Sequence, residues 1–344
     1  MRSERPTVVI TGASGVIGRA VAEELRGCHV IGLTHSSTHV PGADEVWYSD
    51  LEQPRLGLSE DQWRSLADRA DAIVHSGALT EWGRPRDRYR SVNIDGTRTV
   101  IELARLAGAP IHLVSTCFVH AIERDALGLL GPDNVVAPYI WSKLEGERLL
   151  ADSGVPYSIF RPTNLVGDSR TGASSRPQIV QLMSDWFARG KAPYFPAHDG
   201  NLVDVVSLDL TAMAIARAVE RETLGRTYWL TYGPDAMTVD EVQDILIEHA
   251  RSNGREIAPV PVVDPRLPLP VPLDRIPPMS RAFLKVLIDV SEVTCASGGI
   301  LPTSLADMQS ELGLPVLSDR DAYRLSLTYW AGVRAAGAEN GEAA

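Results

Sequence analysis

Residues 11–18 read TGASGVIG and stand between a short apolar run, residues 7–10, and a segment, residues 16–25, whose apolar residues recur three and four positions apart. This order predicts a buried strand, a tight turn and a helix. Gly12 and Gly15 permit the turn and a close approach of the backbone to a ligand. Because exposed N–H groups at the start of a helix can receive a pyrophosphate, the segment predicts a dinucleotide-binding site.

Apolar runs of strand length recur along the first half of the chain, with helix-like segments such as residues 100–106 between them. The runs lie at residues 29–33, 72–75, 111–115 and 157–160. Strands that alternate with helices form parallel sheets. We therefore expect an α/β fold, a Rossmann-type doubly wound parallel sheet, followed by a smaller and mostly helical C-terminal substrate region.

The domain boundaries are predicted from the point where this alternation ends. We expect a dinucleotide-binding Rossmann domain at residues 1–165, a substrate-binding region at residues 166–336 with some segments returning to the sheet, and a flexible tail at residues 337–344. Eight prolines within residues 258–279 predict a loop, because proline cannot donate to a sheet ladder or sit inside a helix. Since the loop is also rich in Val and Leu, we expect a packed or lid-like connection.

The composition excludes several classes of partner. A formal charge of −11 repels phosphate backbones and anionic lipid headgroups, so we expect neither nucleic acid nor membrane as a partner. The three cysteines and eight histidines lack metal-ligand spacing, and we expect no metal site. No apolar run approaches transmembrane length, and the segment before the first strand is too short for a signal peptide. A cytoplasmic location is expected.

A tyrosine and a lysine share one face of a predicted helix, because Tyr139 and Lys143 are four residues apart. A lysine charge beside a phenol should lower the phenol's pKa and suit it to proton exchange with a substrate oxygen. Thr116 follows the strand at residues 111–115, at the sheet edge where ligands bind. We predict that these three residues are catalytic. The alternatives are a surface helix for the pair and a turn hydroxyl for Thr116.

The cofactor type is predicted from a missing acid. No Asp or Glu directly follows the strand at residues 29–33, where an NAD enzyme usually places one on the ribose hydroxyls. Arg19 and His35 could instead donate to a 2′-phosphate, which favours NADP(H). The alternative is that Arg19 is a solvated residue of the first helical turn. His75, at the end of a predicted strand, is interpreted as a core histidine with a hydrogen-bond partner.

In this order the motifs resemble those of the extended short-chain dehydrogenase/reductases. The string at residues 49–59, together with those at residues 78–82, 92–97 and 167–172, is similar to the thioester reductase domains of nonribosomal peptide synthetases and carboxylic acid reductases. The last of these, GDSRTG, is not expected in sugar-nucleotide epimerases. The resemblance implies an NADP(H)-dependent reductase that converts an acyl thioester to an aldehyde. Further reduction to the alcohol stays open.

The resemblance also implies roles for single residues. The cofactor side would be formed by Gly12, Ser14, Gly15, Ile17 and Gly18 at the pyrophosphate, Asp50 and Leu51 at the adenine, Gly77, Ala78 and Asn93 at the ribose side, Lys143 at the nicotinamide ribose, and Pro162 and Thr163 at the carboxamide. Asp168, Ser169 and Arg170 would form a wall near the substrate entrance, with a loop-bracing role as the alternative. Cys117 would either shape the pocket or pack in the core.

The substrate and partner remain alternatives. The acyl group is expected on coenzyme A, on another small molecule, or on an acyl or peptidyl carrier protein. The basic run of Arg84, Arg86, Arg88 and Arg90 is either a docking patch for such a partner or a solvated face. The same scaffold would also suit a ketone or aldehyde reductase, or a sugar-nucleotide enzyme. A non-enzymatic NADP(H) sensor is disfavoured, because such a protein would be expected to lack the tyrosine or the lysine.

Overall fold

The computed structural model describes residues 5–124, 128 and 130–339. The strands are β1 (Thr7–Thr11), β2 (His29–Thr34), β3 (Glu45–Tyr48), β4 (Ala72–His75), β5 (Ile111–Val114), β6 (Tyr157–Pro162), β7 (Asn164–Val166), β8 (Phe195–Pro196), β9 (Val205–Ser207), β10 (Arg226–Leu230) and β11 (Val262–Val263).

The helices surround these strands. They are α1 (Val16–Glu24), α2 (Glu60–Arg69), α3 (Arg86–Tyr89), α4 (Gly96–Ala107), α5 (Val119–Arg124), α6 (Ala137–Ala151), α7 (Ile179–Ala188), α8 (Leu208–Glu220), α9 (Val239–Ser252), α10 (Pro278–Ala296), α11 (Leu305–Leu312) and α12 (Asp319–Glu339). A π-helical turn, Arg90–Asp95, joins α3 to α4.

Within the described residues the main sheet has seven strands in the order β10-β6-β5-β4-β1-β2-β3, and every pairing is parallel. The chain runs outward from β1 to β3 and then returns to β4 on the other side of β1. This reversal places a crevice at the carboxyl ends of β1 and β4, where ligands bind in such sheets. The predicted doubly wound fold is confirmed.

Both faces of the sheet are covered, and β1 shows how. Val8 and Ile10 pack into one core cluster with residues of α1 and α8. Val9, which points to the opposite face, packs into a second cluster with residues of α2 and α4. The continuous apolar run at residues 7–10 is therefore explained by burial on both faces.

The C-terminal region adds β10 to the edge of the main sheet and otherwise forms a third core cluster between α7, α9, α10 and α12. The segment predicted as loop, residues 258–279, is loop as far as residue 277 apart from β11 and a short 3-10 turn, Leu273–Arg275, and its last two residues begin α10, where proline is tolerated in the first turn. Its Val260, Leu269 and Val271 pack against the third cluster, so the loop is packed. The boundary predicted at residue 165 falls inside β7, and the division into domains stays a prediction.

Two further features concern the chain as a whole. α12 continues to Glu339, three residues into the predicted tail, and residues 340–344 lie outside the described residues. In the part of the chain that the structure describes, no helix has both the length and the apolar character needed to cross a membrane.

Candidate active site

The glycine turn forms a cradle at the carboxyl end of β1. Gly12 has a φ of +65°, and a Cβ there would lie 2.5 Å from the Cα of Gly77, so a larger residue cannot fit. A Cβ at Gly18 would overlap the carbonyl oxygen of Gly12. Gly15 begins α1 without a side-chain cap, which leaves N–H groups of the first turn to a ligand. A pyrophosphate fits this geometry.

Arg19 and His35 lie on either side of this cradle. Arg19 is partly buried, and its Nε donates to the carbonyl oxygen of Ser14 at 3.0 Å. His35 is exposed directly after β2, with its ring centroid 5.8 Å from that of Tyr48. The two side chains thus lie near the carboxyl ends of β1 and β2.

The loops after β3 and β4 meet at the same edge. An Asp50 carboxylate oxygen accepts the Glu52 N–H at 2.9 Å and so braces its own turn. Leu51 packs closely on Gly77, because a Cβ on that glycine would lie 3.0 Å from Leu51 Cδ1. Ala78 follows Gly77 and is partly exposed. The residues that the resemblance assigns to the adenine and ribose therefore lie next to each other.

Asn93 ties the loop after β4 to α6. Its Oδ1 accepts the Leu79 N–H at 2.7 Å, and its Nδ2 donates to Ser142 Oγ at 2.8 Å. The Ser142 hydroxyl in turn donates to the Tyr139 carbonyl oxygen at 2.7 Å. Asn93 is buried, so these bonds hold the loop and the helix in fixed relation.

A buried polar chain, which we call the His75 chain, continues from Asn93 to the glycine turn. Thr97 Oγ1 donates to the Asn93 carbonyl oxygen at 2.6 Å and contacts His75 Nε2 at 2.9 Å. Since the Thr97 proton is already used, Nε2 carries the imidazole proton and donates it. His75 Nδ1 therefore accepts from Thr11 Oγ1 at 2.7 Å, and that oxygen accepts from Gly77 N–H at 3.1 Å.

Burial and, to a smaller extent, the charge of Lys143 together lower the pKa of His75 to about 3, so the ring is neutral near pH 7. The interpretation of His75 as a paired core histidine agrees with this geometry. Its link to Thr11 was not predicted. Thr11 lies opposite His75 in the register of the adjacent strands β1 and β4. The contact could therefore be predicted only if the order of the strands in the sheet were already known.

Tyr139 and Thr116 meet at the carboxyl end of β5. The Asn134 side chain accepts the N–H groups of Val136 and Ala137 at 3.0 and 3.1 Å, and so fixes the start of α6 just before Tyr139. The phenol of Tyr139 is buried, and the neighbouring Thr116 hydroxyl acts to lower its pKa. The structure thus brings these two predicted catalytic hydroxyls together.

The predicted effect of Lys143 on the pKa of Tyr139 is wrong. Burial raises the pKa of Tyr139, the nearby Cys117 raises it further, and the Thr116 hydroxyl only partly opposes them. Lys143 Nζ instead donates to the carbonyl oxygen of Val114 at 2.5 Å. Burial also lowers the pKa of Lys143 to about 8. Near neutral pH Tyr139 is therefore a protonated phenol, suited to donating.

Cys117 lies in the core between Thr116 and Thr163. Burial raises the pKa of its thiol, and the two neighbouring threonines only partly oppose this, so the thiol stays protonated. The Cys117 N–H donates to the carbonyl oxygen of Pro162 at 3.0 Å. Thr163 Oγ1 donates to the Asp204 carbonyl oxygen at 3.1 Å. These contacts join the ends of β5 and β6.

A cleft with about 100 Å³ of space for the centres of water-sized atoms begins beside these residues, and we call it the apolar cleft. Its walls come mainly from the loops after β4 and β5, from α7 and α10, from β8 and from the segment 201–204 before β9. It is lined by Trp82, Phe118, Thr163, Asn164, Ile179, Val180, Met183, Phe195, Pro196, Ala197, Asn201, Leu202, Val203, Asp204, Val239, Leu287, Val290, Ser291, Thr294 and Leu301. Its largely apolar walls suit an organic ligand.

Asp168, Ser169 and Arg170 form a braced loop outside the lining of this cleft. One oxygen of Asp168 accepts the N–H groups of Arg170 and Thr171, both at 3.0 Å. Ser169 Oγ donates to Asp209 at 2.6 Å. These contacts agree with the alternative role given in the sequence analysis, in which the three residues brace their own loop and do not form a wall near the substrate entrance.

The arginine run divides into two pairs. Arg84 forms an ion pair with Glu81, and Arg88 pairs with Glu52. Arg86 and Arg90 lie over the ring of Trp141, at 3.8 and 5.6 Å from its centroid. Trp141 stands between Tyr139 and Lys143 in α6, so this pair of cations borders the helix that carries Tyr139.

Across residues 5–124, 128 and 130–339, no group of three or more His, Cys, Asp or Glu side chains is placed to hold a metal.

Known proteins resemble this chain in sequence and in fold. The profile of an NAD-binding family described as Male sterility protein matches residues 44–215, half of the 344 residues. A linear gramicidin synthase polypeptide of Brevibacillus parabrevis is 30% identical over 276 residues, which cover 70% of this chain. The polyketide synthase-nonribosomal peptide synthetase phmA of Phaeosphaeria nodorum is 25% identical over 279 residues, which cover 74% of it.

The chain spans 5% and 7% of the lengths of these two relatives. Among solved structures, the terminal R domain from the myxalamid PKS-NRPS biosynthetic pathway superimposes with a TM-score of 0.72 and 25% identity. That match covers 97% of this chain and 92% of the R domain.

Proposed function

This chain belongs to the Male sterility protein family and to the thioester reductase-like branch of the extended short-chain dehydrogenase/reductases, and from this membership we propose that it reduces an acyl thioester to an aldehyde with NADPH. It is an oxidoreductase with a nicotinamide cofactor. The similarity to peptide synthetases and to a terminal R domain supports an acyl group bound to a carrier protein or to coenzyme A.

The observation that carries the proposal is that Thr116 and Tyr139 are near neighbours of Phe118 and Thr163, which line the apolar cleft. The Phe118 N–H donates to Thr116 Oγ1 at 3.4 Å, and Phe118 itself lines the cleft. An acyl group bound there would bring its carbonyl oxygen to two hydroxyls. Hydroxyls held in a buried site stabilise an oxygen on which negative charge develops.

The chemistry balances as follows. When bound, the reduced cofactor supplies one hydride, so that a thioester and one proton give an aldehyde, a free thiol and the oxidised cofactor. Tyr139 donates its proton to the carbonyl oxygen, and a hemithioacetal results. When the C–S bond breaks, the hydroxyl proton returns to Tyr139 and the thiolate takes a proton from solvent. Thr116 orients the phenol, and the Lys143 ammonium would donate to the nicotinamide ribose.

NADPH is the proposed form of the cofactor because Arg19 and His35 flank the cradle. The contact between Arg19 Nε and Ser14 leaves the two terminal nitrogens of the guanidinium for a 2′-phosphate. Arg19→Ala should therefore weaken NADPH binding about tenfold and leave NADH binding unchanged, as measured by titration of both cofactors. Equal or tighter binding of NADH by the native protein would remove this part of the proposal.

The decisive experiment measures two products at once. Purified protein, NADPH and a panel of acyl thioesters, ketones and aldehydes are followed by cofactor oxidation and by release of free thiol. We expect one thiol for each aldehyde formed. If ketones or aldehydes are reduced but no thioester releases thiol, the protein is a ketone or aldehyde reductase instead.

A further inference from the structure

A buried ion pair lies one helical turn beyond Lys143 on α6. Glu147 follows Lys143 by four residues and so shares its face of the helix. Arg161 Nε, on β6, donates to Glu147 Oε1 at 3.0 Å, and a terminal nitrogen of the same guanidinium donates to Oε2. Both side chains are almost entirely buried, so this bidentate pair is part of the core. The proposed reduction does not use it.

Lys143 and Glu147 reach the sheet at neighbouring points. Lys143 Nζ donates to the carbonyl oxygen of Val114 on β5. The register pairs Val114 with Phe160 on β6, and Arg161, the partner of Glu147, is the next residue of that strand. The ammonium and the carboxylate therefore contact adjacent strands at positions one residue apart. Both are buried, and charges interact more strongly there than in water.

Arg161 is held by three elements, and it holds the Glu147 carboxylate in turn. Its guanidinium carbon lies 4.4 Å from the ring centroid of Trp229 on β10. A terminal nitrogen lies 3.5 Å from Glu123 Oε1 on α5. Because a guanidinium that binds both oxygens of a carboxylate also fixes its orientation, Glu147 is kept in one place relative to α6 and cannot turn out to solvent.

Other polar groups near Lys143 carry no charge at neutral pH. His75, on β4, has a neutral ring because its pKa is about 3. Tyr139, on the same face of α6, has a raised pKa and is a protonated phenol. The π-helical turn and α4, which also pack on α6, present the neutral side chains of Asn93 and Thr97. None of these four side chains can balance the charge of the ammonium.

Glu147 supplies the balancing charge. Burial lowers the pKa of Lys143 to about 8, and the Glu147 carboxylate opposes that shift. Among the described residues, Glu147 is thus the anion that favours the charged form of this lysine. Burial alone would release the ammonium proton at a lower pH.

We propose that Glu147, held by Arg161, is a positioning residue that acts through Lys143: its carboxylate keeps the buried ammonium charged, so that the ammonium can donate to the nicotinamide ribose. The contact of Lys143 with the cofactor rests on the proposed function, whereas the effect of Glu147 on Lys143 does not. If the ion pair only joined α6 to β6, its removal would lower the stability of the protein and change nothing at Lys143.

The experiment follows the Lys143 proton directly by NMR. The chain has three lysines, Lys143, Lys191 and Lys285, so protein labelled with carbon-13 at the lysine side chains gives three Cε signals, and Lys143→Arg identifies one of them. In the cofactor-free native protein this signal should titrate near pH 8. In Glu147→Gln, which keeps the shape of the side chain and an acceptor for Arg161, the midpoint should fall by about one pH unit.

Glu123→Gln is the matched control. Glu123 also contacts Arg161, but from α5 and not from the helical turn after Lys143, so the Lys143 midpoint should stay near pH 8 in this variant. Glu147→Asp retains the negative charge and should restore most of the native midpoint.

A second variant covers the case in which Arg161, left with a single carboxylate, destabilises Glu147→Gln. Glu147→Gln combined with Arg161→Gln replaces the ion pair by two amides and leaves no unpaired charge in the core. The Lys143 midpoint should again fall, but by less, because the loss of the Arg161 charge acts in the opposite direction.

Cofactor binding separates the failure of this inference from the failure of the proposed function. The Kd for NADPH, measured by calorimetry, should rise above about pH 8 in the native protein, and in Glu147→Gln the rise should begin about one pH unit lower. If the Lys143 midpoint falls in Glu147→Gln but the Kd does not follow it, the effect of Glu147 stands and the contact of Lys143 with the cofactor is wrong. If the midpoint is the same in the native protein, in Glu147→Gln and in the double variant, the ion pair is purely structural and the inference is overturned.

Discussion

At the scale of single residues, the buried phenol of Tyr139 determines which chemistry is available. A tyrosine with a raised pKa is a poor general base near pH 7, but it is an effective hydrogen-bond and proton donor. Reduction of a carbonyl needs such a donor, because negative charge develops on the oxygen. The environment of Tyr139 therefore agrees better with reduction than with abstraction of a proton from a substrate.

Replacing Tyr139 by Phe tests this role. The change removes the donor and leaves the ring in place, so turnover should fall roughly a hundredfold or more while the Kd for the cofactor stays the same. Tyr89→Phe is the matched control, because Tyr89 is buried with its ring centroid 6.3 Å from that of Tyr139 and its hydroxyl donates to the Glu81 carbonyl oxygen. Near-native turnover in Tyr139→Phe would contradict the assignment.

Lys143 predicts a pH dependence. Since burial lowers its pKa to about 8, its ammonium is lost as the pH rises through that value, and its proposed hydrogen bonds to the nicotinamide ribose are weakened with it. We expect kcat/KM to fall about tenfold per pH unit above pH 8. In Lys143→Arg the cation persists, so the slope should disappear even if the rate is lower throughout. An unchanged slope in that variant would assign the titration to another group.

At the scale of helices and strands, the sequence predicts the parts of the fold that depend on local pattern. β4 has the predicted bounds, and β1, β2 and β6 begin where the apolar runs begin. β3 was not predicted, because a four-residue strand at the sheet edge is buried only in part and shows no continuous apolar run. For β10, the sequence predicted only that some segment of the C-terminal region would return to the sheet, without indicating which one.

The residues of the candidate site also fall into two groups, those that local sequence pattern predicts and those that it does not. Thr116, Tyr139 and the glycine turn stand next to predicted elements, so their position at one sheet edge could be inferred. The link between Thr11 and His75 requires knowledge that β1 and β4 are neighbours. Such features follow from packing between distant segments, which periodicity does not encode.

The His75 chain joins β1, β4 and α4, and it predicts a loss of stability in acid. The pKa of His75 is about 3 in the folded protein, whereas an unfolded histidine titrates near 6.5. Between these values the unfolded chain binds the extra proton, so the free energy of unfolding decreases as the pH falls below about 6.5. From pH 6.5 to pH 5 the decrease due to His75 should be about 2 kcal/mol.

Denaturant unfolding at several pH values measures this effect in the native protein and in His75→Gln. The variant should be less stable at pH 7, because Thr11 loses its acceptor, yet its stability should decrease less between pH 6.5 and pH 5. His112, which is also buried with a lowered pKa, contributes equally to both proteins and cancels in the difference. His39→Gln, at an exposed position, should behave like the native protein. Parallel pH curves for native protein and His75→Gln would contradict the assigned neutral state.

At the scale of the whole molecule, charge limits which partners can approach. Carrier proteins are acidic as a rule, and a chain with a net charge of −11 would repel them unless it presents a local positive surface. The Arg86 and Arg90 pair over Trp141 is such a surface, because Arg84 and Arg88 form ion pairs with carboxylates, whereas neither Arg86 nor Arg90 does so in the part of the chain that the structure describes. It borders the helix that carries Tyr139.

Reversal of this charge tests the surface as a carrier-docking site. With Arg86→Glu and Arg90→Glu combined, KM for a carrier-bound thioester should rise about tenfold at low ionic strength, and the difference should shrink as salt screens the charges. A small neutral thioester should react as before, because it needs no docking. Arg217→Glu combined with Arg226→Glu makes the same change in net charge on α8 and β10, and it should have little effect on either substrate. If both double variants slow the carrier substrate equally, the overall field of the protein governs the encounter. If the Arg86 and Arg90 variant also slows the small thioester, these arginines support the catalytic helix instead of receiving a carrier.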